Sequence, residues 1–317
     1  MNIEKLKNEW FPLLFEKELK NRPISKVLFG QKLVIFRIKN EILCFEDRCP
    51  HRNVPLSNGE IIDEKIRCNY HGWCFTKEEN YSCNKEIKIK RFHVKIEENL
   101  IWINLNSNKI LTKYFKTDKN YSNKIHIKSL KSDFIHTIEN FLDPLHTPYI
   151  HKGLLRSSSK QRMNITQESD EFSFKTIYDL VDKQNGLINK LFDSGIDKNI
   201  ATFINPGFAK IEYFKQNRVL FCVSIFFVPI KKGEVQMVVN VSFLKTFIPS
   251  FLKFFILRPF LEIAFYQDKK ILEIQYKNQK ELKNEYVIDE KDLVINHLLY
   301  LLEDKEKAQN KELFLEL

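Results

Sequence analysis

Residues 49–73, CPHRNVPLSNGEIIDEKIRCNYHGW, hold two thiol–imidazole pairs. Cys49 is followed two positions on by His51, and Cys68 three positions on by His71. Such short spacings let one tight loop present two ligands to a metal centre, and the sixteen residues between the pairs bring a second loop in from the opposite side. Two thiolates and two imidazoles suit a single tetrahedral zinc. They also suit a two-iron, two-sulfur cluster in which the cysteines bind one iron and the histidines the other. Pro50 stiffens the first loop, Gly72 relaxes the turn after the last ligand, and Trp73 can shield a cluster from water. These details favour the cluster.

A second group of ligand-type residues occupies HTIENFLDPLHTPYIHKG, residues 136–153. Glu139, Asp143 and His146 stand at i, i+4 and i+7, one face of an expected helix over 131–150, with Asn140 beside them. His151 is five positions after His146, which an ideal helix turns away by roughly 140°. Pro148 removes a helical hydrogen bond between them, and the resulting bend swings His151 back toward His146. Taken alone, these residues read more readily as the polar face of a helix than as a metal site.

The surrounding patterns place both groups. Residues 28–47 and 84–105, the latter turning at Glu97–Asn99, alternate apolar and polar in short runs and read as hairpins. The first group therefore sits on loops of a small all-β domain. Residues 106–124 are polar and mark the boundary, giving domains 1–112 and 113–317. After the helix over 131–150 comes a polar loop, 156–162. Strands follow at 172–181, 209–215, 218–230 and 234–247, with a hairpin turn at Lys231-Lys232-Gly233. Helices return at 260–280 and 292–303. An antiparallel sheet with long helices laid on it makes the second domain α+β.

Composition narrows the function. The chain has 317 residues, 43% hydrophobic and 29% charged, which predicts a packed core. Its net charge of +10 rests on 41 Lys against 10 Arg, without a nucleic-acid motif, so nucleic-acid binding is not expected. A basic face suits an acidic electron-transfer partner instead. Six irregularly spaced cysteines and the lack of a signal-peptide pattern point to a reducing, cytoplasmic setting. Cys44, Cys74, Cys83 and Cys222 read as small hydrophobes, and His93, His126, His136 and His297 as structural. Residues 246–265, TFIPSFLKFFILRPFLEIAF, carry Lys253, Arg258 and Glu262. They read as a buried helix or the apolar wall of a pocket, with membrane contact the lesser alternative. No G-x-G occurs, so no dinucleotide fingerprint is present.

Cys-Pro-His-Arg and Cys-x-Tyr-His-Gly-Trp, as they stand here, resemble the motifs of Rieske proteins. Val54 and Tyr70 occupy the places where respiratory Rieske proteins carry two further cysteines, which points toward ferredoxins and oxygenases. Asp143-x-x-His146 followed by His151 resembles the mononuclear-iron motif of Rieske non-haem iron oxygenases. The resemblance also takes in Glu9-Trp10-Phe11-Pro12-Leu13 and the NYSCNKEI segment, and is nearest to the oxygenase subunits of vanillate O-demethylases and to phenylpropionate or ring-hydroxylating dioxygenase large subunits. It implies a Rieske domain followed by a helix-grip catalytic domain. It further implies a [2Fe-2S] cluster on Cys49, His51, Cys68 and His71, and mononuclear Fe(II) on His146, His151 and a carboxylate. FYQDKKILEIQ, residues 265–275, is similar to the helix that carries that carboxylate, giving Asp268, with Glu273 and Glu262 as alternatives. Asp143 then becomes a hydrogen-bonded electron bridge, with Asn140 next to it. The implied activity is hydroxylation or O-demethylation of a small apolar, aromatic or ring-containing substrate by O₂. Electrons come from a separate NAD(P)H-dependent reductase or ferredoxin, and the assembly is a homotrimer. The alternative is a Rieske electron carrier or redox sensor without a working mononuclear iron.

Overall fold

The computed structural model describes residues 3–106, 114–115, 120–154, 162–182, 195–246, 249–282 and 286–316. It divides into two compact units, one of residues 3–113 with 228–232 and the other comprising the rest of the chain.

The first unit is built from antiparallel strands. Six form one sheet in the order Phe11–Phe15, Leu100–Asn104, Arg91–Glu97, Glu41–Glu46, Gln31–Ile38 and Ile24–Leu28. The strand Leu100–Asn104, LIWIN, is buried on both faces, which explains its unbroken apolar run. A second sheet of five short strands runs from Glu60–Ile62 to Asn84–Lys88. Between and above these strands, Phe36, Phe45, Leu56, Ile66 and Phe75 make a core against which Cys49 and Cys68 pack.

The second unit is organised on an eight-stranded antiparallel sheet. Its order is Tyr121–Leu130, Glu234–Leu244, Arg218–Lys231, Phe208–Lys215, Lys198–Ile204, Ser173–Leu180, Arg162–Ser169 and Glu312–Glu316. The expected strands at 172–181, 209–215, 218–230 and 234–247 are present within a few residues. Four others were not foreseen. Tyr121–Leu130 begins inside the stretch read as a polar connector, and the polar segment 156–162 lies, apart from Arg162, outside the described residues. The turn glycine, Gly233, has φ +75°, and a Cβ there would lie 1.9 Å from Tyr276 Oη. Only glycine satisfies both demands.

The long helix runs from Ser250 to Leu282, ten residues earlier than the expected start at 260, with Pro259 inside it. Residues 250–265 of the apolar stretch are thus helical. Phe254, Leu257, Leu261 and Phe265 line a cavity, while Phe251 and Phe255 are 75% and 77% exposed. The stretch is a pocket wall on one side and open surface on the other, not a buried helix. No helix among the described residues is long and apolar enough to cross a membrane.

The expected helix over 131–150 is broken in two. Asp133 caps a helix Phe134–Leu142 by accepting from the Ile135 N–H at 2.9 Å. That helix stops at Asp143, whose φ/ψ of −86°/112° is the extended conformation imposed on a residue before proline, here Pro144. A separate short helix, Thr147–Ile150, follows, with His146 at its N-cap and His151 at its C-cap. The break therefore comes from Pro144. Pro148 sits in the first turn of the short helix, where its missing N–H costs nothing. Glu139, Asp143 and His146 accordingly do not share one continuous helical face.

Candidate metal centres

The two loops of the first unit have the same backbone design. Cys49 N–H donates to Val54 O at 2.8 Å, and Cys49 O accepts from Asn53 N–H at 2.8 Å. Cys68 N–H donates to Trp73 O at 2.8 Å, and Cys68 O accepts from Gly72 N–H at 3.1 Å. The fourth residue after each cysteine is left-handed, Asn53 at φ 59° and Gly72 at φ 71°. Asn and Gly are the residues that accept that conformation most cheaply. The first loop is anchored by the buried Asp47, which accepts from Ser57 N–H at 2.7 Å, Ser57 Oγ at 2.7 Å and Ser25 Oγ at 2.8 Å.

Both cysteines are 2% exposed, whereas His51 is half-buried and His71 exposed. The two imidazoles lie side by side, ring centroids 4.6 Å apart. His51 stacks on Trp73 at 4.6 Å, and Trp73 on Tyr81 at 4.1 Å, which fixes the His51 ring plane. Burial raises the Cys49 thiol above its usual range. The His51 and Arg52 backbone N–H groups pull the other way, and the adjacent Cys68 thiol adds to the rise. His51 is lowered, by desolvation first and then by His71 and Arg52, which keeps its imidazole neutral as ligation requires. Thiols paired inside and imidazoles paired toward solvent are the donor set of an elongated two-iron cluster, and the residues fit that group.

In the second unit, His146, His151 and Asp268 come together from the short helix and the long helix. One ligand atom from each lies within 4.8 Å of the other two. Asp268 Oδ1 is 3.0 Å from His151 Nε2 and 3.5 Å from His146 Nε2. Ligand atoms on adjacent positions around one ion, each about 2.1 Å from it, are themselves about 3 Å apart. Asp268 Oδ1 is buried and takes no hydrogen bond of good geometry despite facing His151. These separations are those of ligands around one shared ion. The donor set is that of the two-histidine, one-carboxylate face used for non-haem Fe(II), which leaves positions open.

Gln267, which the sequence reading passed over, holds the site in register: His151 Nδ1 donates to its Oε1 at 2.8 Å. That bond puts the proton on Nδ1 and turns the Nε2 lone pair toward Asp268. Its position beside Asp268 in FYQDKK was the available signal. Burial opposes protonation of His151, but contact with Asp268 and Gln267 outweighs it and the ring is held above its ordinary value. The alternative carboxylates are engaged elsewhere. Glu262 pairs with Lys128, and Glu273 accepts from Lys131 N–H at 3.2 Å and lies 3.9 Å from Lys269. His136 contacts Glu139 within the helix 134–142 at 3.1 Å and ties that helix to the long helix through Gln279 at 3.1 Å, so it is structural. Asp143 Oδ1 accepts from Leu145 N–H at 2.9 Å.

The triad opens on a cavity of about 540 Å³ that Asn140, Asp143, His146, His151 and Asp268 share with a largely apolar lining of sheet and helix. The remaining cysteines are unpaired. Burial pushes Cys222 up to about 12 and raises Cys44 further, so both thiols stay protonated.

A small β domain with paired thiol–imidazole loops, joined to a sheet-and-long-helix domain with a two-histidine carboxylate face, defines the fold of the Rieske-type oxygenase subunits. Residues 9–92 match the Rieske [2Fe-2S] domain family, and the chain carries such a domain. Across both domains the fold matches dicamba monooxygenase bound to 3,6-dichlorosalicylic acid, with a TM-score of 0.80, 16% identity and coverage of 94% of this chain and 97% of that one. Among curated proteins, this chain is 29% identical over 161 residues to TIC 55 of Pisum sativum, a chloroplastic protein. It is 27% identical over 198 residues to the methylxanthine N1-demethylase NdmA of Pseudomonas putida. Those matches cover 45% and 56% of this chain, and 29% and 56% of the relatives' own lengths.

Proposed function

We propose that this protein is the terminal oxygenase component of a multi-protein system. In this reading it uses O₂ and two electrons to hydroxylate or O-demethylate an apolar, ring-containing substrate. The observation that carries the reading is the His146/His151/Asp268 face at one end of an apolar cavity, in a chain that also bears a Rieske domain. A pure electron carrier has no use for the triad or for the cavity it opens on.

In this assignment Cys49, Cys68, His51 and His71 hold a [2Fe-2S] cluster, and His146, His151 and Asp268 hold Fe(II). Iron held on one protein face supplies O₂ activation beside the substrate through its open positions. The chain's own residues do the rest. Gln267 fixes the His151 tautomer, and the apolar walls bind the substrate and exclude water. Asp143 and Asn140 stand on the approach to His146. A reductase or ferredoxin delivers the electrons, in keeping with the missing dinucleotide fingerprint and the net charge of +10. Six unpaired thiols suit a reducing, cytoplasmic compartment. The assembly is a ring of three, closed by a head-to-tail interface, in which Asp143 bridges by hydrogen bonds to His71 of the adjacent subunit.

The test is substrate-coupled O₂ uptake with a surrogate reductase, comparing wild type with His146→Ala. The expected result is loss of turnover in the variant with an unchanged Rieske EPR signal. Turnover at the wild-type rate in His146→Ala rejects the assignment.

A further inference from the structure

The cavity that contains the triad is apolar along most of its length but not at its other end. At that end stand Lys124 and Arg258, while His126 and the Lys128–Glu262 pair line the cavity between them and the triad. Lys128 is paired with Glu262. Among the described residues, Lys124 and Arg258 have no ion-pair partner, although both line the cavity and both are exposed. Burial lowers His126 first, and Lys124, Lys128 and Arg258 lower it further, with Glu262 opposing them. The mouth therefore has an uncompensated positive charge that the walls lack.

Two rulers give the distance from this mouth to the triad. Arg258 precedes Asp268 by ten residues on the long helix, roughly 15 Å at 1.5 Å per residue. The strand Tyr121–Leu130 runs alongside in the same direction: Lys124 lies over Phe254, Lys128 over Phe265, and the Lys131 N–H reaches Glu273. Asp268 is level with the strand beyond Lys128, at least four residues or roughly 13 Å from Lys124. A compact ligand touches one end only.

We infer that the substrate is an elongated amphiphilic anion. Its apolar body fills the cavity toward His146, His151 and Asp268, and its carboxylate or similar anionic head is held at the mouth by Lys124 and Arg258. This assignment rests on the oxygenase reading for the reaction, but the binding it describes can be measured without turnover.

The experiment is isothermal titration of the purified holoprotein with 6-phenylhexanoate, its methyl ester and (6-phenylhexyl)trimethylammonium. The acid is expected to bind at least about tenfold more tightly than either analogue, the scale of one or two charge-assisted contacts. In Lys124→Ser/Arg258→Ser, whose substituted residues are exposed and outside the core, that preference falls to about twofold or less, while the ester binds as before. Glu262→Gln, which releases Lys128, strengthens the acid. Failure of the acid to bind, equal binding of acid and ester, or an acid preference that survives the double substitution overturns the inference. A preserved preference in protein that never turns over condemns the oxygenase reading instead, so the two failures are told apart.

Discussion

Gln267 and Asp268 are neighbours in sequence and act on the same imidazole in different ways. Asp268 faces the Nε2 atoms of both histidines, whereas Gln267 accepts from the far side of His151. Removing them should therefore separate two effects. Asp268→Ala is expected to abolish retention of the mononuclear iron, and Gln267→Leu to weaken it by roughly 10- to 100-fold, the usual range for a group that orients a ligand. Equilibrium dialysis of the iron-depleted protein reads both. Asp47 belongs to the same scale in the first unit. Its carboxylate takes three hydrogen bonds that hold the Cys49 loop, and Asp47→Ala leaves Ser25 and Ser57 without their acceptor. Its loss should cost about 2–4 kcal/mol of stability and release the cluster at lower denaturant concentration, as followed by the loss of visible absorbance.

At the scale of elements, the turn at Gly233 and the buried His297 make separate predictions. Gly233→Ala combines a left-handed backbone with a clash against Tyr276, and should lower stability by about 1–3 kcal/mol in chemical denaturation. His297 is 2% exposed, stacks on Phe174 at 4.9 Å, and is depressed to about 4, chiefly by burial and then by Lys311. Its folded value lies below its unfolded value, so the unfolded chain takes the proton first. Stability is complete above about pH 6.5 and falls as pH drops toward 4, by up to roughly 3 kcal/mol for this group. His297→Phe should flatten that part of the pH profile, measured as denaturation midpoints between pH 7 and pH 4.

Which elements were legible in the sequence follows from the same physics. The strands Arg218–Lys231 and Glu234–Leu244 are long and apolar enough to be read directly. Lys198–Ile204, KNIATFI, is not, because its buried side carries Asn199 and Ala201 while Ile200 faces the less buried side. In Arg162–Ser169 the buried series Met163, Ile165, Gln167 ends in a polar residue. The Gln167 side-chain amide N–H donates there to Leu293 O at 2.7 Å, a partner 126 positions away. The cluster loops were legible because their spacing is local. The triad needed a carboxylate over a hundred residues distant, and the turn that aims it depends on Pro144 rather than Pro148. A proline's effect depends on where the helix stops, and that was not apparent from the pattern of side chains.

At the scale of the whole molecule, the account has one chain holding two kinds of iron, with electrons passing from the first to the second within an assembly. Asp143→Asn is expected to leave the proposed assembly, the cluster and most of the mononuclear iron in place while turnover falls by roughly two orders of magnitude or more, since in the proposed reading only the bridge between subunits changes. Single-turnover mixing of reduced enzyme with O₂ and substrate checks this: cluster oxidation should slow in the variant. A wild-type enzyme that is active yet monomeric by light scattering would contradict the ring.

The most direct test of the central claim is the metal content of the anaerobically purified protein, with acid-labile sulfide measured on the same sample. The account predicts about three iron atoms and two sulfides per chain, falling to about two irons in Asp268→Ala with the sulfide unchanged. Two irons per chain in the fully reconstituted wild type, with no loss on substituting Asp268, would show that the second unit holds no iron and that the protein is an electron carrier.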